Sequence, residues 1–173
     1  MRRIRYSVAM SLDGYIAGPN GEYDWIPMDP DIDFVAMFSA FDTALVGRKS
    51  FEVAQQASNA GMPGIRTIVV SRTLAPADYP DVTIMNEVSK ARFDALKQQP
   101  GKDIWLWGGG LLFRSLLDAG VVDSVEVAVV PVLLGAGIPM MPAGVDKSFL
   151  DLTKTRVYEK TGIVALAYRV RTT

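Results

Sequence analysis

Apolar positions along this chain follow two patterns that alternate from one segment to the next. Short runs rich in Val, Ile and Leu are typical of buried strands, whereas apolar residues three or four positions apart predict helices. Strand-type runs occupy Ile4–Met10, Thr43–Val46, Thr67–Val70, Val82–Met85, Ile104–Trp107 and Val122–Val132. Helix-type segments run from Asp29 to about Phe41, onward from Gly47, from Ser89 to Lys97 and from Leu111 to Leu117. This alternation predicts an α/β domain with a mostly parallel sheet.

The C-terminal segment shows a different pattern. Thr153–Tyr158 and Ile163–Val170 are predicted strands around the turn Glu159–Gly162, and the second places its larger apolar residues at every second position. An antiparallel hairpin is therefore expected to close a mixed sheet flanked by about four helices. The 173 residues contain no linker, repeat or low-complexity segment, so we predict one domain spanning 1–173.

Composition excludes several kinds of chemistry. The chain has no Cys and no His, which excludes a thiol nucleophile, a Ser-His-Asp triad and zinc sites built from those residues. A net charge of −1 provides no basic field for nucleic acid or an acidic membrane surface. The N-terminus lacks the apolar core of a signal peptide, and no apolar stretch approaches the roughly 20 residues of a membrane span. We therefore predict a cytoplasmic protein without metal that depends on a bound cofactor.

The stretch from Asp103 to Gly120 combines a predicted strand, three glycines and a predicted helix. Residues without a Cβ let the backbone approach a ligand closely, and a helix that begins there offers unpaired N–H groups. Gly108, Gly109 and Gly110 therefore predict a phosphate site. The alternative is a tight turn that binds nothing. The spacing is not the dinucleotide-binding G-x-G-x-x-G pattern, so both interpretations stay open.

Two more strand ends carry groups suited to a phosphorylated ligand. Gly47, Arg48 and Lys49 follow the second predicted strand at a helix start, and Ser71 and Arg72 follow the third. Cationic and hydroxyl groups in these places suit a pyrophosphate and a ribose phosphate. The recurrence favours a dinucleotide, although a capped helix with solvated cations would explain each strand end separately.

Three carboxylates are candidates for handling a proton. Asp13 lies just beyond the first strand, at the edge where α/β sheets bind ligands, although such a residue also forms turns with its own backbone. Asp31 and Asp33 lie in the first turn of the helix predicted from Asp29, where negative charge stabilises the helix dipole. If that end of the helix lines a pocket, one of the two is the best carboxylate available for proton transfer.

An acidic and aromatic loop, Glu22–Pro27, precedes that helix. Its groups suit the stacking and hydrogen bonding of a planar ligand, although such loops also cover the edges of cores. Tyr23 and Trp25 in the loop, together with Phe34 on the apolar face of the helix, are our candidate substrate contacts.

Four segments together resemble the dihydrofolate reductase-like superfamily, and most closely the reductase domain of the bacterial riboflavin-biosynthesis deaminase-reductase. They are SVAMSLDGYIA, TALVGRKSFE, TIVVSRTL and IWLWGGGLLFRSLLDAGVVDSVEVAVVPVLLGAG, in the family's order and over nearly the whole chain. The resemblance implies a three-layer fold with NADPH as cofactor. It places the cofactor beside Ala9, Ile16, Gly47, Arg48, Lys49, Ser71, Arg72, Gly108, Gly109, Gly110 and Leu111.

The resemblance also implies a heterocyclic, pyrimidine- or pterin-like substrate. The first strand and Asp13 favour a reductase of 5-amino-6-(5-phosphoribosylamino)uracil, whereas Asp31 and the segment GRKSFE favour a dihydrofolate or pterin reductase. An NADPH-binding sensor without turnover is a third interpretation, supported by the absence of His. The family's deaminase half needs zinc held by His and Cys, so the chain is expected to be a reductase alone. The apolar hairpin and the loop PVLLGAG are expected to cover a homodimer interface.

Overall fold

A computed structural model describes residues 1–56, 64–144 and 147–171. The predicted loop from Ser58 to Gly64 lies outside the described residues, except for Gly64. The strands are β1 Ile4–Ser11, β2 Tyr15–Ala17, β3 Phe41–Gly47, β4 Arg66–Val70, β5 Thr83–Met85, β6 Asp103–Gly108, β7 Ser124–Val130, β8 Ile138–Pro139, β9 Leu150–Tyr158 and β10 Ile163–Val170. The α-helices are α1 Phe34–Ser39, α2 Arg48–Gln56, α3 Lys90–Gln98 and α4 Gly110–Asp118, and Pro76–Asp78 forms a short 3₁₀ helix.

Eight strands form one sheet in the order β5-β4-β3-β6-β1-β7-β10-β9. The pairs from β5 to β7 are parallel, whereas β10 pairs antiparallel with both β7 and β9. A separate small sheet pairs β2 with β8. The predicted fold class is confirmed, because the chain is one mixed, mostly parallel α/β domain with a C-terminal hairpin and four helices. The carboxyl ends of β4, β3, β6, β1 and β7 consequently lie along one edge.

Apolar side chains on both faces of the sheet pack against helices and form three layers. On one face, α3 and α4 cover the main core, in which the rings of Tyr6 and Phe113 stack with centroids 3.9 Å apart. On the other face, Phe38 of α1 packs against Trp105, and Phe51 of α2 packs against Val46. Within the described residues, no helix is both long and apolar enough to cross a membrane.

The helix predicted from Asp29 to Phe41 is wrong at both ends, because α1 spans only Phe34–Ser39. The buried carboxylate of Asp29 accepts hydrogen bonds from the Thr161 hydroxyl at 2.7 Å and from the Asp31 N–H at 2.8 Å. These contacts hold the backbone before α1 as a loop against the turn between β9 and β10. Strand β7 is shorter than predicted, and β9 begins earlier, at Leu150.

Candidate active site

The ends of β4, β3 and β6 bring the predicted cofactor groups to one edge, because these strands are neighbours in the sheet. Helix α2 begins directly after Gly47, and α4 begins after the N-cap residue Gly109. A Cβ placed on Gly47 would lie 3.7 Å from the Gly108 carbonyl oxygen and 3.8 Å from the Gly109 nitrogen. The two helix starts therefore lie side by side, and their first N–H groups have no partners within their helices.

The three consecutive glycines have different surroundings. A Cβ on Gly110 would lie 2.7 Å from the Pro139 carbonyl oxygen and 2.9 Å from that of Met140, so this glycine is required by packing. A Cβ on Gly109 would instead meet the Ser50 hydroxyl at 3.2 Å, and Gly108 has a φ of +157° and a cis peptide bond to Gly109. Tight packing therefore explains Gly110, as the tight-turn interpretation predicts. Gly109 is half-exposed at the helix start, where its backbone can be approached by a ligand.

The cations at this edge differ in whether they form an ion pair with a carboxylate. The Arg48 guanidinium lies 3.0 Å from the Glu52 carboxylate, one turn along α2. Exposed Lys49 and Arg72 form no ion pair in the part of the chain that the structure describes. Both therefore keep their charge available for an anion.

Ser71 and Leu111 complete the predicted cofactor contacts at this edge. The Ser71 hydroxyl is buried and accepts hydrogen bonds from the Thr73 N–H at 3.2 Å and the Leu74 N–H at 3.1 Å, so it shapes the turn that presents Arg72. Leu111 is 67% exposed in the first turn of α4.

Ala9 and Ile16, the predicted nicotinamide contacts, lie next to this edge. Strand β1 adjoins β6 in a register that pairs Tyr6 with Leu106, so Ala9 and Gly108 both lie toward the carboxyl ends of their strands. Ala9 and Ile16 are half-buried. The residues predicted to contact the cofactor therefore lie along one edge of the sheet, from β4 to β1.

Asp13 holds a loop in place at the end of β1. Its carboxylate accepts hydrogen bonds from the Ser11 hydroxyl at 2.6 Å, the Gly135 N–H at 2.7 Å and the Leu134 N–H at 3.2 Å. These hydrogen bonds, led by that of Ser11, hold the pKa of the Asp13 carboxyl below its usual value. Asp13 therefore ties the PVLLGAG loop, which lies more than 100 residues away in the sequence, to the end of the first strand.

The other two candidate carboxylates lie apart from the three glycines. Asp33 accepts a hydrogen bond from the Ala36 N–H at 2.8 Å and caps α1. Asp31 lies beside the turn between β9 and β10, where its carboxylate accepts a hydrogen bond from the Lys160 ammonium at 2.9 Å. Its carbonyl oxygen accepts one from the Arg156 guanidinium at 3.1 Å.

Asp29 is a buried carboxylate that the sequence did not identify as a site residue. Only 2% of its surface is exposed, and the hydrogen bond from Thr161 is the main cause that lowers its pKa. The Asp-Pro-Asp sequence shows a chain turn there, but nothing local indicates a partner more than 100 residues away in the hairpin.

Of the predicted substrate contacts, Phe34 joins an aromatic row. Its ring lies 6.3 Å from that of Phe38, Phe38 lies 5.3 Å from Trp105, and Trp105 lies 5.8 Å from Trp107. Tyr23 is 57% exposed, and the indole N–H of Trp25 donates to the Glu22 carbonyl oxygen within its own loop. The row leads along one sheet face to β6, the strand that ends in the glycines.

A sequence model of the RibD C-terminal domain matches residues 2–164 of this chain. The chain belongs to the RibD C-terminal domain family. A Bacillus subtilis relative, the uncharacterized protein YyaP, is 36% identical over 183 residues, which cover 96% of this chain and 94% of YyaP. The resemblance seen in the four sequence segments is thereby confirmed at the level of the family.

Solved structures confirm the dihydrofolate reductase-like fold. A candidate riboflavin biosynthesis protein from Shewanella sp. PV-4 has a TM-score of 0.83 at 22% identity, covering 99% of this chain and 100% of that one. The Thermotoga maritima diaminohydroxyphosphoribosylaminopyrimidine deaminase/5-amino-6-(5-phosphoribosylamino)uracil reductase has a TM-score of 0.74 at 15% identity, over 98% and 57%. Enterococcus faecalis dihydrofolate reductase, complexed with NADP(H) and RAB-propyl, has a TM-score of 0.70 at 19% identity, over 98% and 97%.

Proposed function

We propose that this protein is an NADPH-dependent reductase that acts on a heterocyclic substrate, of the 5-amino-6-(5-phosphoribosylamino)uracil reductase type. The observation that carries the proposal is the alignment of three strand ends, where two helix starts lie beside Lys49 and Arg72, two exposed cations that form no ion pair within the described ranges. Membership of the RibD C-terminal domain family and the names of the Thermotoga and Enterococcus proteins support it.

The residues present fit this cofactor. Gly47 and Gly109 leave the backbone N–H groups of two helix starts open to a pyrophosphate, where negative charge is favoured. Lys49 and Arg72 carry the charge that a 2′-phosphate requires, and Arg48 can join them by releasing Glu52. Ala9, Ile16 and Leu111 would bound the apolar parts of the cofactor, Gly108 and Gly110 shape the turn, and Ser71 orients Arg72.

When bound, NADPH would supply the hydride, and the protein would orient the two rings and exclude water. We propose that Tyr23, Trp25 and Phe34 contact the substrate ring, with Phe34 continuing the aromatic row toward β6. The proton donor stays a prediction among Asp13, Asp31 and Asp33. Each of these carboxylates now has a contact that it must release or share in order to donate a proton.

The test of this function is a fluorescence titration with NADPH and NADH, followed by absorbance at the nicotinamide band after candidate substrates are added. Selective NADPH binding and turnover of the phosphoribosylaminouracil are expected. Absence of NADPH binding would overturn the proposal. Variants Asp13→Asn, Asp31→Asn and Asp33→Asn identify the donor, because its loss should slow turnover by about 10²-fold or more.

Two alternatives have their own support. A dihydrofolate or pterin reductase is favoured by the GRKSFE segment and by the fold shared with the Enterococcus enzyme. Turnover of dihydrofolate, but not of the phosphoribosylaminouracil, would establish it. An NADPH-binding sensor is favoured by the engagement of all three candidate carboxylates. Tight NADPH binding without oxidation by any heterocycle would establish that function.

We also propose that the protein acts in the cytoplasm as a homodimer. On β9, Leu152 and Val157 are each 58% exposed, and Leu133 in the PVLLGAG loop is 70% exposed, so the hairpin end of the sheet offers apolar surface to a second copy. Light scattering at micromolar concentration is expected to give the mass of a dimer. A monomer mass would exclude this assembly.

A further inference from the structure

Two cations on the C-terminal hairpin converge on one acidic residue. The Arg156 guanidinium donates to the Asp31 carbonyl oxygen at 3.1 Å, and the Lys160 ammonium donates to the Asp31 carboxylate at 2.9 Å. That second hydrogen bond is the main cause that raises the pKa of Lys160. The two cations are therefore arranged around one residue, where Lys160 contacts its carboxylate and Arg156 contacts its backbone carbonyl oxygen.

Arg156 is held in place by the Tyr158 ring and by its position in β9. Neither contact uses the N–H groups of its guanidinium. Its guanidinium carbon lies 4.5 Å from the centre of the Tyr158 ring, and its strand position is fixed by pairing with Ala165. Stacking on an aromatic face fixes the plane of a guanidinium and leaves its N–H edge directed outward. A guanidinium has five N–H groups, and among the residues that the structure describes one of them donates to Asp31, which leaves others for a second acceptor.

A row of small residues connects this cation to the proposed nicotinamide position. Ala9 pairs with Ala128, Ala128 with Ala165, and Ala165 with Arg156, so all four side chains lie on the same face of adjacent strands. Three strand spacings separate the first from the last, a distance of about 14 Å. Nothing larger than a methyl group rises from the row between them.

The order of strands places this row between the proposed cofactor site and the C-terminal hairpin. The proposed cofactor site extends along the carboxyl edge from β4 to β1, and β7, β10 and β9 continue the same sheet beyond it. A ring reduced above Ala9 that carries a long substituent would therefore extend over Ala128 and Ala165 toward the hairpin. In the next row, Lys154 lies on the same face as Arg156 and adds positive charge, whereas Glu126 of that row is acidic. Asp29 and Asp31 add negative charge near Lys160.

We propose that Arg156 and Lys160 bind the anionic end of the substrate, a phosphate or a carboxylate, while the ring of the same molecule lies above Ala9. This inference rests on the proposed reductase function and assigns residues to the far end of that site. An incoming anion competes with the Asp31 carboxylate for Lys160, so Asp31 weakens binding of the anion. Arg156 and Lys160 thus favour substrates with a charged substituent over neutral ones.

The experiment measures binding of ribose 5-phosphate, ribose and glutarate to the protein saturated with NADPH. Saturation keeps the probes out of the proposed cofactor site. We expect ribose 5-phosphate or glutarate to bind more tightly than ribose, and whichever is tighter identifies a phosphate or a carboxylate. The double variant Arg156→Gln/Lys160→Gln should bind the preferred anion about tenfold more weakly, because two charge-assisted hydrogen bonds are lost from an exposed site. Asp31→Asn should bind it more tightly.

The matched control is Arg169→Gln. Arg169 belongs to the same hairpin, but it pairs with Asp151 near the amino-terminal end of β7. This control should leave anion binding unchanged. Equal affinity of the double variant and the unmodified protein, an equal loss in the control, or no preference for either anion over ribose would overturn the inference.

Failure of the inference can be distinguished from failure of the proposed function. If NADPH itself does not bind, the reductase proposal fails, and the same probes applied to the free protein still test Arg156 and Lys160. If NADPH binds and the double variant retains full anion affinity, only the inference fails. With a turned-over substrate, the double variant should raise KM for the charged form and leave KM for an uncharged analogue unchanged, which a general loss of structure would not do.

Discussion

The two halves of the carboxyl edge of the sheet are built differently. At the ends of β4, β3 and β6, backbone N–H groups of two helix starts and the cations Lys49 and Arg72 are open. Beyond the end of β1 and beside the turn between β9 and β10, the carboxylates of Asp13, Asp29 and Asp31 all accept hydrogen bonds from other parts of the chain. The first half is therefore prepared for an anionic ligand, whereas the second uses its acidic groups to hold its own loops.

This difference predicts which substitutions change binding and which change folding. We expect the charges of Lys49 and Arg72 to contribute to binding and little to stability, because they form no ion pair within the part of the chain that the structure describes. Engaged carboxylates in the other half contribute to stability first.

Replacing Arg72 by Ala should weaken NADPH binding by about 10- to 100-fold, because a charge-assisted contact with phosphate contributes about 1.5–2.5 kcal/mol. Arg48→Ala should have a smaller effect, since that guanidinium already shares its charge with Glu52. Fluorescence titration measures both. NADH binding should change little, and Arg92→Ala on α3 serves as the control. If neither Arg48→Ala nor Arg72→Ala alters NADPH affinity, the cofactor assignment of these arginines is wrong.

At the ends of β3 and β6, two glycine substitutions distinguish a glycine needed for packing from one that lets the backbone approach a ligand. Gly110→Ala should lower the free energy of unfolding by about 1–3 kcal/mol, because its Cβ would overlap two backbone carbonyl oxygens. Gly47→Ala meets only ordinary contacts at 3.6 Å and beyond, so its unfolding should be unchanged while NADPH affinity falls. Urea denaturation and NADPH titration of both variants give the comparison. Normal NADPH binding by Gly47→Ala would show that the backbone does not approach the cofactor there.

The first half of the edge was easier to predict from the sequence than the second, because its residues belong to local units whereas those of the second half contact distant parts of the chain. Gly47 with Arg48 and Gly108 to Gly110 are local units of strand and helix start, and Ser71 with Arg72 directly follow a strand, so their residues indicate the structure directly. The prediction that these residues lie at one edge followed from the predicted parallel sheet, because the carboxyl ends of parallel strands lie together. By contrast, Asp29 binds Thr161 and Asp31 binds Lys160 across more than 100 residues of sequence. Hydrophobic periodicity carries no information about such pairs, so the helix was predicted from Asp29 although it begins at Phe34.

In the second half, Thr161→Val removes the hydroxyl that donates to Asp29. Thermal unfolding at neutral pH should occur a few degrees lower, because a buried carboxylate oxygen loses its partner. The lowered pKa of Asp29 means that this stabilisation is present above the ordinary carboxyl pKa of about 3.9 and is lost as the pH falls through the lowered value. The difference in Tm between the two proteins should therefore narrow below about pH 4. If the difference in Tm does not change with pH, the loss of stability comes from the packing of Thr161 and not from its hydrogen bond to Asp29.

The smallest expected effect is at Asp33, where structural and catalytic roles can be separated by two substitutions. Asp33→Ala removes the cap of α1 and should cost about 0.5–1 kcal/mol of unfolding free energy, whereas Asp33→Asn keeps an acceptor for the Ala36 N–H and should cost little. A role limited to capping predicts that turnover by Asp33→Asn equals that of the unmodified protein. If Asp33 donates a proton, Asp33→Asn would instead lose turnover while keeping its stability. That second result would show that a carboxylate engaged in the structure also takes part in the chemistry, and the contrast between the two halves would no longer hold at α1.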